Sequence, residues 1–208
     1  EQPLDLKLAL SAAGVAPQAV PAILASGLLR SELRAGREHL ESTHQRISAA
    51  VIDLLEPVAK RTLHQKLALA LAAEPEPDPE RVAHHYRAAG HVSEATPYTI
   101  TAAERAARML AFGRSAELYE LALEQVGEHE RGRLEVALAE AYENLGRVHE
   151  AAEYCARAAR RAAEPRQRRD LTSRAMLLFM IAGDFERSDP LLASACRELR
   201  VPMPSRRP

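Results

Sequence analysis

The chain has 208 residues, of which 47% are hydrophobic and 27% are charged, so it is long enough for one extended or two small domains with hydrophobic cores. Its formal net charge of −1 gives no overall attraction to nucleic acid or membranes, and no apolar run of about 18 residues could span a bilayer. Two cysteines without a CxxC pair and an opening without a signal peptide predict a cytoplasmic protein. The start at Glu1, directly in a helical pattern, predicts a fragment of a longer protein.

The N-terminal residues predict two helices followed by a small β-hairpin. Apolar residues at helical spacing run from Leu4 to Ala13 and stop at Gly14, and a second helix is expected over 17–29. Residues 31–42 alternate around an Ala35-Gly36 turn, which is typical of a hairpin. This order of elements predicts a winged-helix-like module within 1–73.

A winged helix raises the question of DNA binding. The predicted second helix, 17–29, which would enter the DNA groove, contains no Lys or Arg. Residues 1–56 carry five basic and seven acidic residues. Because DNA binding needs cationic contacts to phosphates, direct DNA binding through this module is disfavoured.

Residues 44–68 predict two further helices, which are followed by a linker rich in proline and acidic residues. His44 precedes an apolar helical pattern that ends at Leu55, and a second pattern containing Arg61 and His64 follows it. Alternating Glu, Asp and Pro at 74–80 predict a linker. Beyond it, residues 81–95 predict a helical hairpin, whose second helix is shared with the next hairpin and runs over 93–110.

A repeat occupies the second half of the chain. Phe112, Val148 and Phe185 each open a segment with a small residue three positions later, a larger residue four positions after that, and then Ala. These segments begin 36 and 37 residues apart. The preceding helices carry Leu138-Ala139 with Tyr142, and Ala175-Met176 with Phe179.

This pattern resembles the tetratricopeptide repeat, whose period is about 34 residues. The tryptophan position of that repeat is occupied here by Thr99, Glu135 and Thr172, so the repeats are degenerate. The predicted fold is therefore mainly helical: a winged-helix-like module with a β-hairpin, then an α-solenoid of degenerate tetratricopeptide-type hairpins over 81–200, and a tail, 201–208.

The order of modules also resembles the end of bacterial STAND ATPases (signal-transduction ATPases with numerous domains), including LuxR-type transcription regulators. In that family a histidine at the end of a strand contacts the nucleotide phosphate, and His44 stands at the matching position. Ser42, Ser48 and Ala49 depart from the family pattern around it. The resemblance implies ATP or ADP in the parent protein, while this chain itself carries no cofactor site.

Two sets of residues are candidates for partner binding. The first helices of the repeats offer groove candidates, namely Glu135, Glu143, Asn144 and Arg174. An arginine-rich segment, called here the basic cluster, comprises Arg157, Arg160, Arg161, Arg166, Arg168, Arg169 and Arg174. The basic cluster predicts either a surface for an acidic partner or for the parent's own ATPase domain, or solvated helix faces paired with glutamates.

Enzyme chemistry and metal binding are not indicated. The sequence contains no P-loop, GxGxxG, GxSxG or HExxH motif. His84 and His85 are adjacent, so on a helix they point about 100° apart and are expected to be packing histidines rather than metal ligands. Cys155 and Cys196 are expected to be small core residues.

The sequence therefore predicts a non-enzymatic segment that senses a protein, a peptide or a small-molecule inducer and relays that signal to an ATPase domain of the parent. A plain adaptor, in which the repeats dock a partner without switching, is the alternative. Dependence of binding on the N-terminal module would separate the two.

Overall fold

A computed structural model of the chain describes residues 4–34 and 36–202. The chain divides into two compact units, Glu1–Tyr98 and Thr99–Pro208, here unit 1 and unit 2. The predicted linker, 74–80, therefore lies within unit 1. The predicted tail, 201–208, lies outside the described residues beyond Pro202.

Unit 1 contains a small antiparallel sheet and the first helices. Its elements are β1 (Leu4–Asp5), α1 (Leu6–Ala13), a short 3₁₀ helix (Pro17–Ala19), α2 (Val20–Ala25), β2 (Leu29–Arg34), β3 (Arg37–Ser42), α3 (Gln45–Leu54), α4 (Pro57–Ala72) and α5 (Pro79–Ala89). The next helix, α6 (Val92–Arg108), begins in unit 1 and ends in unit 2.

The predicted hairpin is confirmed, and a third strand joins it. Strands β2 and β3 pair antiparallel with Arg34 opposite Arg37, and β1 pairs with the other edge of β3 through Leu4 and Leu40. The predicted helix start at Leu4 is wrong because Asp5 caps the helix: its Oδ1 accepts hydrogen bonds from the backbone N–H groups of Lys7 and Leu8.

The second predicted helix, 17–29, is also too long. Helix α2 ends at Ala25, and Gly27 has a left-handed backbone with φ of 70°. The apolar residues Leu28 and Leu29, which looked like the last turn of the helix, lead into and begin β2. A short apolar run fits a helix and a strand equally well, and the hairpin pairing decides between them.

The core of unit 1 is formed where α1 and α5 pack on α4. Leu8, Leu71 and Val82 are buried together, and the rings of Tyr86 and Tyr98 stack with their centroids 5.9 Å apart beside them. No single described helix is long and apolar enough to cross a membrane. Helix α1 and the segment Pro17–Ala25, which are bent by 111° relative to each other, have enough length and apolar composition only when taken together.

Unit 2 is an array of helical hairpins. Besides the end of α6 it contains α7 (Phe112–Leu123), α8 (Glu128–Asn144), α9 (Val148–Arg161), α10 (Pro165–Ile181) and α11 (Phe185–Leu199). Helices α7, α9 and α11 begin at the three residues that open the repeat in the sequence.

The predicted repeat positions are those that pack. The small residues Ser115, Ala151 and Ser188 are at most 1% exposed. Leu138, Ala139 and Tyr142 of α8 are buried in one cluster with Ala175 and Phe179 of α10. Small residues on facing helices let the axes approach, and the bulky residues fill the remaining space. The structure thus confirms a mainly helical fold with a small β-hairpin.

Candidate partner-binding cleft

A cleft of about 460 Å³ opens between α8, the C-terminal end of α9 and α10. Its floor is apolar, and its rim carries polar and charged side chains. The floor residues are Val136, Ala137, Ala158, Ala162 and Leu171. The polar rim residues are His129, Arg133, Glu140, Arg161 and Gln167, and the exposed Ala163 lies beside them. It is called here the α8–α10 cleft.

Small residues on the facing helices make room for the cleft. Gly132 lines it from α8, and a Cβ atom added there would lie 3.5 Å from the Cβ atom of Arg161. Ala158, Ala162 and Ala163 line it from the end of α9. Because these side chains are short, α8 and α10 enclose a cleft above the apolar floor instead of filling it.

Arg161 is held at the rim by two carboxylates. Its Nε lies 3.0 Å from an oxygen of Glu128, and its Nη1 lies 3.1 Å from an oxygen of Glu135. Glu135 is 3% exposed, and burial raises the pKa of its carboxyl group while the nearby Arg161 charge opposes that rise. Glu128 and Glu135 therefore hold the guanidinium group of Arg161 in a fixed position at the rim of the cleft.

Further ion pairs join the first helices of neighbouring hairpins. Arg133 of α8 lies 3.4 Å from Glu104 of α6. Arg174 of α10 lies 2.7 Å from Glu143 and 3.5 Å from Glu140, both on α8. These partly exposed pairs link neighbouring first helices, contribute little to stability, and leave charged groups along one face.

The predicted groove residues divide into two groups. Glu135 is buried and bonded to Arg161, so its carboxylate is not presented to solvent. Glu143 and Arg174 pair with each other at the boundary between α8 and α10. Asn144 is exposed at the end of α8, where its side-chain amide donates a hydrogen bond to the carbonyl of Glu140.

The basic cluster is also divided by the structure. Arg157 packs over the ring of Tyr154, 4.8 Å from its centroid, and lies 3.5 Å from Glu153. Arg168 donates two hydrogen bonds to the carbonyl of Ala162. Arg160 and Arg169 are exposed, and neither has an ion pair among the residues that the structure describes.

The start of α10 concentrates positive charge beside the cleft. Its first turn contains no acidic residue, and Arg166, Arg168 and Arg169 flank the cleft residue Gln167. The N-terminal end of a helix already carries a partial positive charge, so arginines there raise the potential instead of neutralising it. The exposed Arg166 and Arg169 make this end of the cleft basic.

Several cleft residues were missed from the sequence. His129, Arg133 and Glu140 recur at helical spacing on one face of α8, together with Gly132 and Val136. That spacing was visible, but the sequence does not show which face of α8 points towards α10. Gln167 and Leu171 belong to the facing helix and carry no motif.

His44, the candidate for a nucleotide-phosphate contact in the parent protein, lies between β3 and α3. Strand β3 ends at Ser42, and His44 is the residue before the first residue of α3. Its backbone N–H donates to the Ser42 hydroxyl, and its side chain is exposed. Within the described residues, no group of three or more His, Cys, Asp or Glu side chains could hold a metal ion.

Comparison with known proteins gives no family for this chain. No family model matches it, and no curated protein matches it in sequence. Among solved structures, BtubC (BKLC) from P. vanneervenii is 17% identical, with 71% of this chain and 76% of that chain covered and a TM-score of 0.40.

Two other structures have similar scores. A Podosopora anserina putative kinesin light chain with nearly identical TPR-like repeats is 16% identical over 67% of this chain and 87% of that chain, with a TM-score of 0.38. The STAND protein PH0952 from Pyrococcus horikoshii, which has a tetratricopeptide repeat sensor, is 12% identical over 92% of this chain and 38% of that chain, with a TM-score of 0.40.

Proposed function

We propose that this chain is a non-enzymatic protein-interaction module, and that the α8–α10 cleft binds a peptide segment of a partner protein. The observation that carries the proposal is the cleft itself, with its apolar floor and polar rim. Its volume of about 460 Å³ lies within the range of roughly 300–1,000 Å³ that is usual for ligand sites.

The floor and the rim define the chemistry of the partner. Val136, Ala162 and Leu171 offer an apolar contact for one or two side chains of a peptide. Arg133 lies on the rim, and the exposed Arg166 and Arg169 lie beside it at the start of α10, so positive charge borders that contact. The partner is therefore a peptide with an apolar anchor and acidic residues beside it, because an anchor gains from burial and carboxylates gain from the arginines.

Selection from a library of random peptides tests the proposal. Peptides selected on the wild-type chain are expected to combine Asp or Glu with an aliphatic or aromatic residue. Replacing the exposed cleft residue Ala163 with Trp fills the cleft, and Arg133→Glu reverses the charge of its rim. Each substitution is expected to weaken a selected peptide at least about tenfold, which corresponds to about 1.4 kcal/mol.

Matched controls on α7 separate the cleft from general effects. Arg114→Glu reverses an exposed arginine that is paired with Glu117 at 2.6 Å, and Ala111→Trp places the same bulk on an exposed alanine before α7. Both controls are expected to leave peptide affinity unchanged. Equal affinity of all four variants for the selected peptides, or no selection of peptides at all, would overturn the proposal.

The finer proposal is that the chain is the sensor arm of a STAND-type regulator, and that partner binding in unit 2 is relayed through unit 1 to an ATPase domain. Its support is the resemblance of residues 44–68 and of the repeats, together with the position of His44 after β3. A winged-helix role for unit 1, transcription regulation as the output and ADP in the parent all belong to this proposal.

Nucleotide analysis of the parent protein tests the finer proposal. The purified parent is denatured, and released nucleotide is identified by chromatography for the wild type, for His44→Ala and for the control His129→Ala. ADP in the wild type and the control, lost in His44→Ala, is the expected result. ADP in all three would assign His44 a structural role, and a parent without nucleotide would favour the plain adaptor.

A further inference from the structure

Three histidines of unit 1 lie together at the contact between α4 and α5. The Nδ1 atom of His64, on α4, is 2.9 Å from the Nδ1 atom of His85, on α5. The centroids of these two rings are 5.1 Å apart, and the ring of His84 lies 6.2 Å from His64 and 5.2 Å from His85. These residues are called here the histidine cluster.

The contact between His64 and His85 depends on their protonation state. A hydrogen bond between two ring nitrogens needs one N–H donor and one nitrogen that carries no proton, so at least one of the two rings is neutral. If both rings were protonated, two N–H groups would face each other at 2.9 Å. Protonation of the second ring therefore replaces an attraction between α4 and α5 by a repulsion.

Among the described residues, no carboxylate is found to stabilise the rings of His64 and His85 as imidazolium ions. The electrostatic effects on His64 and His85 come from the other histidines of the cluster and from Arg81 on α5, and none comes from a carboxylate. Helix α1 also packs on α4, and its one charged residue, Lys7, is a cation. The nearest acid along α5 is Glu80, in the first turn.

Burial and the neighbouring positive charges act in the same direction. Burial of the ring, followed by the charges of His64, His84 and Arg81, lowers the pKa of His85 to about 4. Burial, followed by the charge of His84, also lowers the pKa of His64. Both rings are therefore neutral near neutral pH, in the state that allows the hydrogen bond.

We propose that the histidine cluster is a proton-operated latch that holds α4 against α5 while its rings are neutral and loosens this helix pair when they are protonated. Leu71 on α4 and Val82 on α5 share the buried core of the unit with Leu8 on α1. Separation of α4 and α5 therefore exposes that core to solvent, so the latch makes the folding stability of unit 1 depend on pH. The inference is independent of the proposed cleft, because all three rings lie in unit 1.

The direction of the pH dependence follows from proton linkage. The pKa of His85 is lower in the closed unit than in an opened one, where it returns towards 6.5, so the opened unit binds more protons. The stabilising effect of the neutral rings is complete above about pH 6.5 and is lost as the pH falls towards 4.

The test follows imidazole nitrogen resonances and amide hydrogen exchange of the whole chain by NMR between pH 7 and pH 5. The expected result is that His85 titrates far below the ordinary histidine value, and that amides of α4 and α5 lose protection on the order of tenfold over this range. A His85 ring that titrates near the ordinary histidine value would overturn the proposal.

Two variants check that the cluster causes the loss of protection. His85→Gln keeps a hydrogen-bonding side chain but cannot titrate, and it is expected to flatten the pH dependence of exchange in α4 and α5. The control His91→Gln removes another imidazole of unit 1, one that lies 3.2 Å from Glu94, and it should behave as the wild type. If His85→Gln retains the wild-type pH dependence, the latch is wrong. If it fails to fold at pH 7, the ring titration of the wild type decides alone.

Discussion

Leu110 occupies a backbone position that glycine fills in three other turns between helices of the chain. Gly90, Gly146 and Gly183 have φ values of 86°, 72° and 76°, and Leu110 has a φ of 60°. In all four turns the next residue donates its backbone N–H to a carbonyl five residues earlier, at 2.9 Å in each case. This is the Schellman bond that ends a helix, and its left-handed residue is usually glycine because a side chain is strained there.

Leu110→Gly should therefore stabilise unit 2. The substitution relieves the left-handed strain, and it removes little buried surface because Leu110 is 73% exposed. The expected gain is roughly 0.5–1 kcal/mol in the free energy of unfolding, measured by chemical denaturation. Gly146→Leu is the reciprocal control and should destabilise by a similar amount. A stability of Leu110→Gly equal to or below the wild type would show that the leucine side chain contributes more than the strain costs.

Glu135 stands at the tryptophan position of the repeat, yet it is a buried ionisable residue paired with Arg161. Removing its partner by Arg161→Ala should cost about 2 kcal/mol, less than for a fully buried pair because Arg161 is 31% exposed. The double variant Glu135→Leu with Arg161→Ala should recover stability to within about 1 kcal/mol of the wild type, since no buried charge then remains unpaired. A double variant as unstable as Arg161→Ala would show that the arginine acts through packing.

The same pair has a defined pH dependence. Burial raises the pKa of Glu135 above the value in the unfolded chain, so this group favours folding most below its unfolded pKa, and that effect is lost as the pH rises through the folded pKa. Without Arg161 the pKa rises further. The destabilisation of Arg161→Ala, measured by denaturation at several pH values, should therefore shrink as the solution is acidified. A constant or growing deficit would mean that Glu135 is solvated in the variant.

At the scale of elements, the repeat register gives the sharpest test of the packing. Ala139 of α8 and Ala151 of α9 are fully buried. Ala139→Phe and Ala151→Phe should each cost about 1–3 kcal/mol in the free energy of unfolding, because the added ring overpacks a helix contact. Ala182→Phe, at the exposed end of α10, is the control and should be close to neutral. Near-unchanged stability of both buried variants would contradict the register.

The elements of unit 2 could be predicted because their signals are local. Helices of the array start two residues after a turn residue such as Gly146 or Gly183, and their small and bulky positions repeat along the chain. Unit 1 was predicted less well. The strand β1 has two residues, too few for an alternation signal, and it forms because Leu4 pairs with Leu40, a residue far away in the sequence.

At the scale of the whole molecule, the α8–α10 cleft could not be predicted for the same reason. Gly132 and Ala162 are ordinary small residues in the sequence, and only the packing of α8 and α10 around the end of α9 leaves space between them. The ion pairs of Arg133 and Arg174 likewise join different hairpins. The sequence showed the groove-bearing helices, whereas the side chains that surround the cleft depend on tertiary contacts.

The helices of the two units also differ in how extensively they pack on neighbouring elements. Helices α8 and α9 pack extensively on each other and share one buried cluster, so their amides should exchange only when unit 2 unfolds. Helix α3 packs on β3 with few contacts, and its residues Val51, Ile52 and Leu54 are 51%, 46% and 84% exposed.

Hydrogen exchange followed by mass spectrometry should therefore show fast exchange in α3 and slow exchange in α8 and α9. A series of protein concentrations serves as the control, because association of two chains through α3 would slow its exchange only at high concentration. Slow exchange of α3 at every concentration would contradict the prediction. It would mean that a part of the same chain covers Val51, Ile52 and Leu54, and that unit 1 is held together by more than the α1, α4 and α5 core.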